Sequence, residues 1–188
     1  MIIDSFVNYC FKHKIISSED IPLFQYCIEK KIYSFLITIP LFFLGIFLSE
    51  FQITVSFLSS FFYLRSVVNG YHAQTLWGCF AESIILEIIA LKLLNPVLTI
   101  KSTTLFLIAS FTIILCKAPY NHPNLNLSPD EILACRESSR KRLLIVIVVL
   151  IHSNLTKRMQ IFRGITLGLI LTAGLLGLAY VNSRRKHG

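Results

Sequence analysis

Runs of apolar residues fill half of this chain and leave too few charges to coat a surface in water. Of 188 residues, 54% are hydrophobic and only 15% charged, whereas soluble domains carry about a quarter charged residues. The runs occupy 32–49, 51–64, 83–100, 103–116, 143–151 and 161–181. In lipid a spanning segment must satisfy its own backbone, which restricts it to helices or closed barrels. The fold class that follows is an all-α membrane protein, a bundle of four to six transmembrane helices. Two runs strain this reading by their length. The run 51–64 covers roughly 21 Å as a helix, against a hydrocarbon core of about 30 Å. It must continue into the following segment, enter the membrane partway or thin the bilayer. The nine residues of 143–151 do not span alone. Pro40, inside the first run, is expected to kink its helix unless neighbours satisfy the freed carbonyl.

The length fits a single membrane domain over 1–188, with an amphipathic segment at 1–31, the bundle at 32–181 and a basic tail at 182–188. Ile3, Phe6, Val7, Cys10 and Phe11 recur at helical spacing among charged residues. They predict a helix lying on the membrane surface or on the protein's own cytoplasmic side. Residues 1–30 hold no unbroken apolar stretch of signal-peptide length. The formal net charge is +8, and its cations flank the runs: Lys30 and Lys31, Arg140 to Arg142, Lys157 and Arg158, Arg184 to Lys186. This is the distribution of the positive-inside rule. No basic, aromatic stripe is free to enter a groove, so the expected partner is the lipid bilayer and not nucleic acid. With the amino end inside, six crossings put Arg65, the polar stretch 117–142 and the tail on the cytoplasmic side. Lys157, Arg158 and Arg163 then lie outside, against the rule. Ser128, Pro129 and Glu131 form a helix start of the capping-box type. Gly164 and Gly168 are spaced for close helix contact.

The five cysteines show no C-x-x-C pair, and their odd number does not suit a closed disulfide framework. No metal or cofactor is expected. Cys10, Cys27 and Cys116 read as small buried hydrophobes. Cys79 is different. In fifteen residues the chain places Arg65, Asn69, Gly70, His72, Gln74, Gly78 and Cys79, between two apolar runs. Ionisable groups at a membrane edge point to function, and a thiol with an imidazole nearby is the minimal set for a cysteine nucleophile. Cys79 is the candidate nucleophile, and His72 the candidate base and later acid. On one regular helix, seven residues separate their Cα atoms by about 10.5 Å, too far for proton transfer. The backbone must therefore bend or break between them, or the two must pair across a dimer. The expectation is a non-helical or re-entrant stretch around 65–72, a turn at Asn69 and Gly70, and Cys79 near a helix start, where the helix dipole favours the thiolate. Arg65 is either a substrate-binding cation or a membrane-edge anchor. Glu82 either orients His72 or caps the third run, and Gln74 is a candidate oxyanion donor. His13, His122, His152 and His187 lack a comparable thiol and are read as structural.

This segment resembles the accessory gene regulator B (AgrB) family of Gram-positive bacteria. That pattern runs Arg, then Gly-Gly-x-His, then Cys seven residues after the His. Here it stands as Arg65, Asn69-Gly70-Tyr71-His72 and Cys79, with Asn69 in place of the first Gly. Chain length, the flanking runs and the segment from Ala118 and Pro119 to Asn124 are similar too. The resemblance implies a multi-pass endopeptidase of peptide quorum sensing in the bacterial cell membrane, with its active site facing the cytoplasm. The implied partner is a short AgrD-like propeptide with an amphipathic leader and an acidic tail. Cys79 would attack it, release the tail and hold the remainder as a thioester, which an internal Cys or Ser of the peptide closes into a thiolactone or lactone. The resemblance also favours a homodimer. Two other classes fit the composition: a peptide exporter using Glu87 and Lys92, and a non-catalytic membrane scaffold assembled through the last run.

Overall fold

The computed structural model describes residues 2–13, 15, 17, 21–69, 76–121 and 128–187, and all regular structure among them is helical. The chain divides into two compact units, Met1–Leu41 and Phe42–Gly188. In the first, α1 (Ile2–Lys12) is the helix its spacing predicts, but of its apolar face only Val7 and Cys10 are buried while Phe6 and Phe11 are exposed. Helix α2 (Ile21–Leu48) begins eleven residues before the first apolar run and continues through Pro40. Residues 21–31, expected to belong with the amino-terminal segment, are thus the opening turns of α2. Pro22 is its second residue, where a missing N–H costs nothing.

In the second unit, α3 (Phe51–Val68) is four residues longer than its apolar run. Of the routes open to the short run, this chain takes continuation into the motif. Residues 65–68, expected to be irregular, complete the helix. The third run is not a uniform helix. Helix α4 (Leu76–Ile88) passes into π-helical turns at Ile89–Leu94, then a short α5 (Asn95–Val97). Thr99 caps the following α6 (Ile100–Lys117) through a reciprocal bond with Ser102. Helix α7 (Pro129–Leu155) absorbs the nine-residue run into 27 residues. Its start is the expected capping box: the Glu131 amide donates to Ser128 Oγ (3.3 Å), and the Ser128 amide to Glu131 Oε2 (2.8 Å). Those bonds hold the Glu131 carboxyl below its usual range. Helix α8 (Met159–His187) closes the chain.

The core joins α3, α6, α7 and α8 through Leu64, Val68, Ile114, Leu143, Leu169 and Leu176, among others. Helices α3 and α8 lie side by side and run in the same direction, because α8 has glycine where the two backbones meet. A Cβ on Gly164 would stand 2.5 Å from the Ile53 carbonyl oxygen, and one on Gly168 3.1 Å from that of Phe57. Helix α7 runs the other way and ties to α3 through Arg142, whose guanidinium donates to the Tyr63 carbonyl (2.7 Å) and to Ser66 Oγ and lies over the Tyr63 ring. Two buried hydroxyls of α8 return to their own helix, Thr166 to the Phe162 carbonyl and Thr172 to that of Gly168.

The outward faces are apolar: Phe43, Phe47, Leu105, Ile108, Val148 and Ile151 are all exposed. Water tolerates contiguous apolar patches of only a few hundred Å², whereas lipid tails are as apolar as leucine. Among the described residues two helical stretches, Phe51–Val68 and Met159–Ser183, are long and apolar enough to cross a membrane. Cys116, expected to be buried, is exposed. It stands about 200° around α6 from the buried Ile114, on the face turned from the core. Cys10 is buried as expected, and the side chain of Cys27 lies outside the described residues.

Candidate active site

The end of α3 and the start of α4 bring part of the motif together. Arg65 occupies the last turn of α3, and its guanidinium donates to the Asn69 carbonyl, closing that helix end. The Asn69 amide donates back to the Arg65 carbonyl (3.3 Å). Asn69 itself sits at φ 57° and ψ −151°, a region occupied essentially by glycine. Glycine, which the pattern this segment resembles has at this position, adopts such a backbone without strain. Replacing Asn69 with glycine should therefore raise stability by about 1 kcal/mol, the strain relieved less the freedom glycine adds to the unfolded chain. Thermal unfolding in detergent measures this, and a lower midpoint would contradict the reading. The Tyr120 amide donates to the Val68 carbonyl (3.1 Å), so the segment after α6 is tied to the same helix end.

Cys79 is the fourth residue of α4 and half-buried, at the helix start as expected. The Ser83 hydroxyl donates to its carbonyl (2.8 Å). Burial pushes the Cys79 thiol above its ordinary value and the Glu82 carboxylate adds to the rise, while the Arg65 guanidinium and the Ser83 hydroxyl oppose it. Arg65, Cys79 and Glu82 are thus electrostatic neighbours, and a base must remove the thiol proton before it can attack. Glu82 lies a turn and a half inside α4, so it does not cap the third run. His72, Gly70 and Gln74 lie outside the described residues.

Charge placement gives a test with a definite sign. Glu82→Gln removes a negative neighbour, favours the thiolate and should move the pH profile of Cys79 alkylation to lower pH. Arg65→Gln removes the opposing cation and should move it to higher pH. Alkylation mapped to the peptide containing Cys79 reads both, and the reverse order would contradict this geometry.

Sequence reasoning did not single out Ser83 or the contact of Arg142 with Tyr63. Ser83 had a signal, a hydroxyl one helical turn beyond the thiol. The Arg142 contact joins residues 79 positions apart, which no local pattern reveals. An apolar cleft of about 370 Å³ between α3, α7 and α8, lined by Ser56, Ser59, Tyr63, Val149 and Ile165, includes none of the motif residues.

A family model described as accessory gene regulator B matches residues 3–176. The chain belongs to the accessory gene regulator B family. No curated protein and no solved structure matches it. AgrB membership places the chain in the processing of an agr quorum-sensing peptide, a family described as peptidases of autoinducer maturation, with an AgrD-like propeptide as the substrate implied. Together with the two apolar helices it makes the chain a membrane protein. The match takes in the whole motif from Arg65 to Cys79, all of Phe51–Val68 and the greater part of Met159–Ser183.

Proposed function

We propose that this AgrB is a membrane cysteine endopeptidase that cuts an AgrD-like propeptide and passes the acyl group on to close a ring. His72 takes the proton of Cys79, and the thiolate attacks the carbonyl at the end of the signal segment. The C–N bond breaks as the imidazolium gives its proton to the leaving amine, so the tail departs and a thioester remains on Cys79. An internal thiol or hydroxyl of the peptide, deprotonated by His72, attacks that thioester. The new S–C or O–C bond forms as the Cys79 thiolate leaves and regains its proton. Exchange of one thioester for another replaces like bonds, and tethering makes the step intramolecular. Keeping water from the acyl-enzyme favours the ring over hydrolysis.

The observation that carries this reading is Cys79 in the first turns of α4, electrostatically coupled to Arg65 at the end of α3. Arg65, Gly70, Gln74 and Glu82 are assigned supporting roles: Arg65 and the basic stretch 117–142 toward the acidic tail, Gly70 in the turn before the base, Gln74 toward the oxyanion and Glu82 toward His72. The domain is a single multi-pass unit of four to six transmembrane helices in the bacterial cell membrane, with this site on the cytoplasmic side, working as a homodimer. Co-expression with the cognate propeptide tests the reading. A released tail whose mass marks one cut, with the ring product alongside, is the expected result. The rival reading, an exporter without proteolysis, expects an uncut peptide outside the cell. It drew on Glu87 and Lys92 together, but Lys92 is exposed while Glu87 is buried.

A further inference from the structure

One carboxyl group in the second unit has no role in this chemistry. Glu87 is 1% exposed, and neither of its carboxylate oxygens has a hydrogen-bond partner among the described residues. Thr54 Oγ1 is likewise buried without a partner. Other buried hydroxyls on α3 and α8, those of Ser60, Thr166 and Thr172, all bond their own helices. Both groups converge on Gly45. A Cβ there would lie 2.5 Å from Glu87 Oε1 and 3.3 Å from Thr54 Oγ1. The last turns of α2, the first of α3 and the end of α4 therefore meet at a notch that only glycine leaves open. Directly beyond Glu87 the helix widens into π turns at Ile89–Leu94, a feature frequent at functional sites.

An ionised carboxylate enclosed in this way lacks both water and a counter-charge. Glu87 makes no ion pair with a described residue. Phe42 to Leu48 on α2 bring no titratable group to it, and α3 brings only Tyr63 within Phe51 to Leu64. On its own helix the nearest are Glu82 and Lys92, each five residues away. Within 159–181, α8 carries only Arg163 and Tyr180. A bound proton resolves the problem: it turns the group into a neutral acid that can donate as well as accept, beside the same Gly45 that the Thr54 hydroxyl approaches. We propose that Glu87, with Thr54 at the Gly45 notch, is a proton-binding site inside the helix bundle, distinct from the Cys79 site.

Dicyclohexylcarbodiimide, an apolar reagent for protonated carboxyls, tests this on the intact protein in its membrane. The reagent takes the acid proton, the carboxylate oxygen adds to its central carbon, and an O-to-N acyl shift leaves a stable N-acylurea that carries the whole reagent mass. At pH 7 a free glutamate, with a pKa of about 4.3, is ionised and does not react. Mass spectrometry is expected to find the adduct on the peptide containing Glu87. It should be lost in Glu87→Gln, retained in Glu137→Gln and unchanged by sodium or potassium ions, and a water-soluble carbodiimide should not form it. Absence of an adduct at Glu87 would overturn the proposal. So would protection by either ion, which would assign the notch to a metal cation. Mapping in the wild-type protein decides the matter even if Glu87→Gln does not fold, and neither outcome depends on whether Cys79 is a nucleophile.

Discussion

Cys79→Ala is expected to stop release of the propeptide tail, lowering the rate by at least about a thousand-fold, as loss of a nucleophile does in enzymes of this type. Cys79 is half-buried and makes no disulfide, and alanine fits wherever cysteine does. The variant should therefore insert and accumulate normally, and the loss should be chemical. Cys79→Ser sharpens the test. Serine restores the shape and a hydroxyl, but the hydroxyl is far harder to ionise and a much weaker nucleophile. The thiol is already disfavoured as an anion by burial and by Glu82, so the site has little reserve with which to activate a hydroxyl. Both variants should accumulate uncut propeptide in membranes. The rate of tail release, read by mass spectrometry at matched protein level, separates this from a folding defect. An exporter or scaffold would keep its flux or assembly in both.

The largest effect on stability is expected from Gly168→Leu, a loss of about 3 kcal/mol or more, at the upper end of what overpacking a well-packed interface costs. Gly168 lies against the α3 backbone: a Cβ there would stand 3.0 Å from the Phe61 amide nitrogen, 3.1 Å from the Phe57 carbonyl oxygen and closer still to Ser60 Oγ. Backbone cannot give way as a flexible side chain does, so α8 would have to move off α3 along much of its length. The same two helices supply Leu64, Val68, Ile165 and Leu169 to the core. Gly174→Leu is the matched control. No described residue lies within 4 Å of a Cβ at that position, and its cost should stay within about 0.5 kcal/mol. Unfolding by a denaturing detergent measures both. Equal losses at the two positions would mean that close helix approach at Gly168 does not hold the core together.

How far such features can be read from sequence depends on how local their causes are. The start of α7 was legible because Ser128, Pro129 and Glu131 satisfy the same helix end within four residues. The contact face of α8 was legible at Gly164 and Gly168, but the same spacing argument cannot tell these from Gly174 and Gly177, which meet nothing. Only the partner helix distinguishes them. The start of α2 at Ile21 was missed because hydropathy marks where a run becomes apolar, not where a helix begins. The π turns after Ile88 were missed because their residues are ordinary helix formers. In the motif, the types and order of Arg65, Asn69 and Cys79 pointed to a turn and a helix start, because backbone conformation and thiol chemistry constrain residue type directly. Residues 65–68 were misread for a related reason: the His72 to Cys79 distance requires a break somewhere, but it does not say how early. The described helix ends at Val68, with Asn69 as the turn.

The account stands on a thioester at Cys79. Intact-protein mass spectrometry of the enzyme isolated with its propeptide, at a pH low enough to slow ring closure, measures that species directly. The predicted result is an added mass equal to the leader plus signal segment, mapped to Cys79 and removed by neutral hydroxylamine. Release of the tail at the full rate by an enzyme with an unmodified Cys79, or by the Cys79→Ala variant, would contradict it.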